Sequence, residues 1–134
     1  YEACMADLYS AYSKLVQAKN ARYKSPKTKS IMESCAEYIQ NNYSRTDFKI
    51  SDLNQIANCS DVHLRRMFKD YFDMSPVAYL QNTRIENAII LLDSTDYSIE
   101  RVAKMVGYND PYYFSRVFRN SVGCCPSSYR KKND

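Results

Sequence analysis

The sequence predicts an all-α chain in which two copies of one helical unit are joined by a long central helix and preceded by an amphipathic helix. Only 2 of its 134 residues are glycine, whereas a sandwich or a barrel would have glycine or proline at many turns. Apolar residues recur at helical spacing along most of the chain. The last two-thirds of the chain also contain an internal repeat, shifted by 49 residues in one block and by 50 in the other two.

The repeat comprises three blocks that occur in the same order in both copies. Segments 50–60, 64–69 and 73–79 correspond to segments 99–109, 114–119 and 123–129. A solenoid needs roughly three or more stacked copies to bury its faces, so two copies indicate a duplicated supersecondary unit. We therefore predict one domain over residues 30–134, with a first copy at about 50–80 and a second at about 99–130.

Residues 1–29 are predicted to form a helix and a linker that belong to an upstream effector or dimerisation domain. The helix reaches about Asn20 and has one apolar face, formed by Met5, Leu8, Tyr9, Tyr12, Leu15 and Val16,. The linker at 21–29 is polar and basic and contains Pro26, which is typical of a break between helices. Because the chain starts at Tyr1 without an initiator methionine, we expect it to be part of a longer protein.

Two helices flank the first copy. The earlier one is predicted from about residue 30 to Tyr43, and its apolar face consists of Ile31, Cys35, Tyr38 and Ile39,. The central helix is predicted to start at Ser75 and Pro76, since serine caps helices well and proline suits the first helical position. It ends before Ser94, and its apolar residues are Ala78, Tyr79, Leu80, Ile85, Ala88, Ile89, Leu91 and Leu92.

The second copy has the sequence signals of a helix, a tight turn and another helix. Ser98 is a candidate N-cap, and Gly107 can supply the left-handed residue that ends the first helix. Asp110 can cap the second helix, which has Pro111 at its first position and extends to about Asn120,. The predicted buried residues are Val102, Ala103, Val106, Phe114, Val117 and Phe118.

The first copy has the same signals in different residues. Asn58 corresponds to Gly107, and asparagine is one of the few other residues that accept a positive φ. Ser60 can cap the following helix, whose predicted buried residues are Leu64, Met67 and Phe68,. Both copies therefore match a helix-turn-helix, whose second helix enters the major groove of DNA in DNA-binding proteins.

The exposed faces favour DNA binding, although most helix pairs bind no nucleic acid. The net charge of +4 does not decide this, because the placement of the charges matters more than their sum. The residues predicted opposite the buried faces are Val62, Arg65, Arg66 and Lys69 in the first copy and Pro111, Tyr112, Ser115, Arg116 and Arg119 in the second. The nearby acids Asp61, Asp70 and Asp110 lie at helix ends, where they suit capping and the helix dipole.

The two copies resemble the tandem helix-turn-helix domain of AraC/XylS-type bacterial transcription regulators over residues 30 to 132. The second copy contains the pattern Ile99-x-x-Val-Ala-x-x-x-Gly-Tyr-x-Asp-x-x-Tyr-Phe-Ser-Arg-x-Phe-Arg119, followed by Pro126-x-x-Tyr-Arg130. The first copy contains Ile50-x-x-Leu-x(6)-Ser60, Leu64-x-Arg-x-Phe-Lys69, Ser75-Pro-x-x-Tyr-Leu80 and Arg84-Ile85-x-x-Ala88. A signature of this length that occurs twice in order is far more specific than a single short motif.

The resemblance implies that each copy lays one helix in a major groove, about one helical turn (~34 Å) apart on one face of the DNA. The residues it implies for base contacts are Val62, Arg65, Arg66, Pro111, Tyr112, Ser115 and Arg116. The residues expected at phosphates are Ser60, His63, Lys69, Tyr113, Arg119, Lys131 and Lys132. It further implies a cytoplasmic homodimer formed through the upstream domain, contact with RNA polymerase, and control of a sugar-utilisation or similar operon.

Three positions depart from the family pattern. Asn54 replaces the small residue that Ala103 provides in the second copy, and a buried asparagine needs hydrogen-bond partners. We therefore expect looser packing in the first copy. Asp73 occupies the position of Gly123, and Cys125 takes the capping position of Ser75, where a thiol caps more weakly than a hydroxyl.

Two other function classes compete with DNA binding. Thirteen tyrosines are compatible with a helical protein-interaction module that docks a partner through tyrosine-rich faces. An enzyme is disfavoured, because the sole histidine, His63, has no acid at triad spacing and no glycine-rich phosphate loop occurs,. The five cysteines form no C-x-x-C pair, and no apolar run approaches the roughly 20 residues that span a bilayer. We therefore expect no metal, no cofactor and no membrane insertion.

Overall fold

The computed structural model describes residues 25–133, and the side chains up to Lys131. This part of the chain contains seven helices and no strand. The helices are α1 (Pro26–Asn42), α2 (Ser51–Ala57), α3 (Asp61–Phe72), α4 (Pro76–Ser94), α5 (Ile99–Met105), α6 (Pro111–Val122) and α7 (Pro126–Asn133). The predicted all-α class, with two helix-turn-helix units and a long central helix, is confirmed.

The start of α1 corrects the predicted linker. Ser25 is extended, and its Oγ accepts a hydrogen bond from the Thr28 backbone N–H at 3.2 Å. Pro26 occupies the first helical position, where its missing N–H leaves no intrahelical bond unmade,. The prediction that residues 26–29 belong to a linker is therefore wrong, because the proline begins a helix there. The rest of the predicted linker and the amphipathic helix before it lie outside the described residues.

The first unit comprises α1, α2, α3 and the first half of α4 around one core. Its buried apolar residues are Met32, Cys35, Ile39, Leu53, Ala57, Leu64, Phe68, Tyr71, Phe72, Tyr79 and Leu80. Ile31, Tyr38 and Met67, which were predicted to be buried, are only half-buried at the edge of this core. The buried face of α1 instead follows the spacing Met32, Cys35 and Ile39, so the helix is rotated slightly from the predicted orientation,.

The second unit comprises the last half of α4 together with α5, α6 and α7. Its buried apolar residues are Ile85, Ala88, Ile89, Leu92, Val102, Ala103, Val106, Tyr108, Phe114, Val117, Phe118, Val122 and Tyr129. The predicted buried residues of the second copy are all among them. The central helix therefore belongs to both units, and its contribution changes from one core to the other between Leu80 and Ile85.

The predicted N-caps are confirmed. The Oγ atoms of Ser60, Ser75 and Ser98 accept backbone N–H groups at 3.3, 3.1 and 3.1 Å. The Asp110 carboxylate accepts the N–H of Tyr112 at 2.9 Å. Each bond satisfies one of the free N–H groups in the first turn of a helix. The helix starts were predictable because each one has its capping residue.

Cys125 occupies the capping position of α7 with a thiol in place of a hydroxyl. Its Sγ lies 3.4 Å from the Ser127 Oγ and 3.1 Å from the Ser128 Oγ. Hydrogen bonds from these two hydroxyls lower the pKa of the Cys125 thiol to about 7. Backbone N–H groups of Ser127 and Ser128 contribute to the same shift. The thiol therefore interacts with the first turn of α7, as the Ser75 hydroxyl does with the first turn of α4.

Four residues with positive φ end helices or form turns at matching places in the two copies. Asn58 (φ 52) corresponds to Gly107 (φ 106), and Asp73 (φ 60) corresponds to Gly123 (φ 101). A left-handed residue after a helix allows the next N–H to bond back to the last turn. Asparagine and aspartate tolerate this conformation better than most residues with a Cβ atom.

Gly107 and Gly123 share a conformation but differ in their surroundings. A Cβ atom at Gly107 would lie 2.5 Å from the Tyr43 carbonyl oxygen and 2.7 Å from Arg84 Nε, whereas at Gly123 it would meet nothing within 4 Å. Gly107 therefore allows the turn of the second unit to lie directly against the segment that follows α1.

Only one of the two polar atoms of the Asn54 side chain has a hydrogen-bond partner among the described residues. Its Nδ2 donates a hydrogen bond to the Asp61 carboxylate at the first position of α3. Its amide oxygen is buried and accepts no hydrogen bond from any residue between 25 and 131. The free-energy cost predicted for a polar side chain at this contact between helices therefore comes from the amide oxygen alone.

The two glycines provide a matched test of the fold. We expect Gly123→Ala to lower the free energy of unfolding by ~1–2 kcal/mol, because alanine disfavours positive φ. Gly107→Ala should lose a further ~1–3 kcal/mol, since its methyl group overlaps the Tyr43 carbonyl,. Urea unfolding of both variants measures the difference. Equal losses would show that the close approach at Gly107 does not exist in solution.

The Asn54 contact predicts whether Asn54→Ala raises or lowers the free energy of unfolding. Asn54→Ala removes an unpaired buried oxygen, which costs ~1–3 kcal/mol, and one hydrogen bond to a carboxylate,. The usual contribution of such a bond, ~1.5–3 kcal/mol, is reduced here because the pair is exposed to solvent. We expect a net gain in the free energy of unfolding of up to ~1 kcal/mol. Asn54→Asp is the matched control and should lose stability, because it puts a second carboxylate beside Asp61. A lower melting temperature for Asn54→Ala would contradict the packing interpretation.

Candidate nucleic-acid interface

The first candidate recognition helix is α3, whose buried and exposed faces are separate. Leu64 and Phe68 point into the first core, while Val62, on the opposite side, is 65% exposed. Arg65 and Arg66 are exposed beside it, as predicted. The capped start at Ser60 gives α3 a defined first turn, so its N-terminal half presents these side chains in fixed positions,.

The second candidate recognition helix, α6, has the same organisation. Phe114 and Phe118 are buried, and Arg116 and Arg119 are exposed. Tyr112 is 82% exposed near the start of the helix. Pro111 and Ser115 are half-buried at the border of this face, and Tyr113 is exposed with its ring 5.8 Å from that of Tyr108.

The cationic side chains on the two faces differ in whether they form ion pairs with the described residues. Lys69 lies 3.4 Å from the Asp73 carboxylate and forms an exposed ion pair with it. Such pairs contribute little in water, so the ammonium can exchange partners. Arg65, Arg66, Arg116 and Arg119 form no ion pair with any residue in the described part of the chain. Four guanidinium groups are thus available to an external anion or base.

Three nearby acids have local partners other than these arginines. Asp61 accepts the Asn54 amide, and Asp110 accepts the backbone N–H of its own helix. Asp73 is paired with Lys69. The predicted capping role is confirmed for Asp110, whereas Asp61 is held by a side chain of the preceding helix.

Two open clefts lie beside the first recognition helix. One, of about 370 Å³, is lined by Ile50, Ser51, Asp61, Leu64, Arg65, Ser75 and Val77. The other, of about 390 Å³, lies between α1 and α3 and is lined by Lys27, Thr28, Ile31, Ile56, Ala57, Asn58, Cys59, His63 and Met67. Arg65 therefore borders the starts of α2 and α4, and His63 faces the α1 side of the helix.

The remaining predicted phosphate contacts lie at helix ends. Ser60 is exposed and uses its Oγ as an acceptor in the cap, which leaves the hydroxyl hydrogen free to donate. Lys131 is exposed in α7. Lys132 belongs to the same helix, but its side chain lies outside the described residues.

Two further arginines bind backbone carbonyls inside the domain and do not belong to the exposed faces of α3 and α6. Arg84 is buried at 8% exposure and donates to the carbonyls of Tyr43 and Arg45. Arg130 is half-buried and donates to the carbonyl of Leu92 in the last turn of α4 and to those of Thr95 and Tyr97 after it. Both belong to the family pattern quoted above, but periodicity gives no sign that their partners are carbonyls more than 30 residues away.

The described residues contain no group of three or more histidine, cysteine, aspartate or glutamate side chains that could hold a metal ion. None of the described helices is long and apolar enough to cross a membrane. The chemistry presented by the two faces is therefore that of guanidinium, ammonium, hydroxyl and aromatic groups. These groups bind phosphates and base edges.

Comparisons with known proteins agree with this geometry. Residues 53–132 match the family described as a helix-turn-helix domain. The raffinose operon transcriptional regulatory protein RafR of Pediococcus pentosaceus is 39% identical over 94 residues, which is 70% of this chain and 34% of RafR. The chain spans about a third of the length of the curated relatives it matches.

Two solved structures are similar in fold as well as in sequence. The C-terminal domain of AraT, a response regulator from Geobacillus stearothermophilus, has 34% identity and a TM-score of 0.73, covering 81% of this chain and 86% of that chain. The DNA-binding domain of the global transcriptional factor AdpA, solved in complex with a target DNA, has 25% identity and a TM-score of 0.70, covering 75% and 89%. The chain belongs to the AraC-type helix-turn-helix family, the DNA-binding domains of transcription regulators.

Proposed function

We propose that this chain binds one asymmetric site on double-stranded DNA, with α3 and α6 in two successive major grooves. The observation that carries the proposal is that each unit presents a capped helix whose exposed arginines form no ion pair within residues 25–131. The two faces differ in sequence, so the two half-sites should differ as well. Helix-turn-helix units that bind successive grooves lie ~34–36 Å apart along the DNA.

The proposed assignment of residues to base contacts or phosphate contacts follows from the chemistry of their side chains. Arginine binds guanine O6 and N7 in bidentate fashion, and apolar side chains contact the thymine methyl group. The proposed base-contacting residues are Val62, Arg65, Arg66, Pro111, Tyr112, Ser115 and Arg116. The proposed phosphate contacts, which set the register on the duplex, are Ser60, His63, Lys69, Tyr113, Arg119, Lys131 and Lys132.

The whole protein is proposed to be a cytoplasmic bacterial transcription activator of a sugar-utilisation operon. Its relative RafR is named as the regulatory protein of a raffinose operon. An upstream domain would bind the effector and form a homodimer, so that the intact protein occupies two sites, and the bound protein would contact RNA polymerase. No catalytic residue and no cofactor enter this proposal.

A protein-interaction role is the second candidate, and exposed apolar groups favour it. Tyr112 is 82% exposed, and Ile90 on the central helix is 60% exposed. The two roles respond differently to salt. DNA binding releases counterions, so its affinity falls steeply as the salt concentration rises, whereas an apolar protein contact weakens little.

Selection of bound duplexes from random DNA tests the proposal directly. We expect enrichment of a site with two unlike halves, with affinity for the selected duplex at least ~10³ above that for random DNA at the same salt concentration. An enriched pool that binds no more tightly than random DNA would contradict sequence-specific recognition.

Arginines on separate helices should act on separate halves of the site. We expect Arg66→Ala and Arg116→Ala each to relax base preference in one half only, at a cost of ~1–3 kcal/mol. The double variant should show the sum of the two costs, since distant sites add. Selection with each variant locates the affected bases. The control is Lys29→Ala, which removes an exposed lysine paired with Glu33 on α1. Loss of base preference at the same bases in both arginine variants would contradict binding in separate grooves.

Phosphate contacts should affect all sequences alike. We expect Arg119→Ala to weaken specific and random duplexes equally and to lower the slope of log affinity against log salt by ~0.9. Lys69→Ala should lower it by less, because Asp73 already neutralises part of the ammonium charge. Titrations at several salt concentrations measure both slopes. An unchanged slope with altered base preference would instead make that residue a base contact.

A further inference from the structure

Few groups connect the two helix-turn-helix units. The cores share no buried residue, and α4 passes from one to the other between Leu80 and Ile85. Tyr43, after the end of α1, is the one partly buried residue of the described chain that packs against both cores. Long helices are rarely straight, so α4 alone would not fix the angle between the units.

The side chain of Arg84, a residue of α4 at this boundary, binds backbone carbonyls of the first unit. Its Nε donates to the Tyr43 carbonyl at 2.8 Å, and its Nη2 donates to the Arg45 carbonyl at 2.9 Å. The Tyr43 carbonyl follows the last turn of α1, where carbonyls lack intrahelical partners and carry partial negative charge,. The Arg45 carbonyl also accepts the Phe48 N–H at 3.3 Å. A guanidinium can bind two of them at once, because its donors are held in one rigid plane.

The second unit closes over the same guanidinium. The Arg84 Cζ lies 5.0 Å from the centroid of the Tyr108 ring, a distance at which a cation is attracted to an aromatic face. Gly107 precedes that tyrosine and lies so close that a Cβ atom would overlap both Arg84 and Tyr43. The turn of the second helix-turn-helix therefore rests on the segment after α1 through Arg84.

The contacts at Arg84 are those of a structural cation. It forms no ion pair with the described residues, and it is 8% exposed. Burial lowers the pKa of Arg84, and the neighbouring Tyr108 and Tyr113 oppose that shift. Removal of the guanidinium would take away the donor that the Tyr43 and Arg45 carbonyls share and the cation beside the Tyr108 ring.

We infer that Arg84 is a positioning residue for DNA recognition, which fixes the angle and the distance between the two recognition helices. This inference rests on the proposed function. One base pair added between two half-sites moves the second by ~3.4 Å along the helix axis and turns it by ~34°. A rigid pair of units cannot follow that change, whereas a loosely joined pair can.

Duplexes that differ only in half-site spacing test the inference. The half-sites come from selection with the unaltered chain, and one or two base pairs are inserted or removed between them. We expect the unaltered chain to lose ~10-fold or more in affinity per base pair of shift, a loss like that of a mismatched base pair. Arg84→Met should bind the optimal and the shifted duplexes within ~3-fold of one another. Arg84→Lys, whose ammonium lacks the planar fork, should lie between the two.

A second variant and two controls separate positioning from general loss of stability. Gly107→Ala disturbs the same junction from the side of the second unit and keeps the arginine, because its methyl group would overlap the Tyr43 carbonyl and the Arg84 guanidinium. It should also broaden the spacing preference. Gly123→Ala has the same backbone strain in open space and should keep the wild-type preference. Arg130→Met removes a comparable set of arginine–carbonyl bonds that lie wholly within the second unit, so it should lower the melting temperature and leave the spacing preference unchanged.

The outcomes are distinct. A folded Arg84→Met that keeps the wild-type ratio between spacings would overturn the inference. If Arg84→Met does not fold, Arg84→Lys and Gly107→Ala decide in the same way. Equal broadening in Arg130→Met would show a non-specific effect and would also overturn it. Failure of the unaltered chain to enrich any duplex would contradict the proposed function instead.

Discussion

The guanidinium of Arg84 lies where three parts of the chain meet: the segment after α1, the central helix and the turn of the second helix-turn-helix. Its bonds to the Tyr43 and Arg45 carbonyls and its position over the Tyr108 ring join two otherwise separate cores. Gly107 makes this possible, because no other residue would allow the turn to come so close. The relative orientation of α3 and α6, and hence any recognition of two grooves at once, depends on this junction.

Around that junction the two copies use the same local chemistry with different residues. Each recognition helix begins at a capped residue, Ser60 or Asp110, after a turn with positive φ at Asn58 or Gly107. The faces that point away from the cores have diverged: α3 presents Val62 with arginines, while α6 presents Tyr112, a residue with a polar tip and an aromatic ring. A shared scaffold with unlike faces suits an asymmetric DNA site, and a symmetric site would need like faces.

Much of this fold could be predicted from the sequence, because its signals are local. Capping residues, prolines at first helical positions and residues that accept positive φ lie next to the boundaries they set, and the spacing of apolar residues gives the buried faces. The linker prediction fails at Pro26 because proline occurs both at helix ends and at helix starts, and the capping Ser25 before it marks a start,. The pairing of Lys69 with Asp73 could have been found from its i,i+4 spacing,.

What the sequence could not provide were contacts between distant residues. The partners of Arg84 lie 41 and 39 residues away, and those of Arg130 more than 30. Arg84 lies four residues from both Leu80 and Ala88, which places it on the buried side of α4, but this spacing does not identify the carbonyls that it binds,. Likewise, the bond between Asn54 and Asp61 required the geometry of the turn between α2 and α3. The candidate DNA-contacting faces were predictable as exposed faces, and the base that each side chain contacts is a property of the complex.

The claim that both helices contact one face of the DNA is tested most directly by chemical protection of the guanine N7 atoms in a selected duplex. N7 lies in the major groove, where arginine binds it. With the unaltered chain bound, we expect two protected groups of guanines on the same face of the duplex, with centres ~10–10.5 base pairs apart. One protected group, or two on opposite faces, would contradict recognition by two helices held in successive grooves.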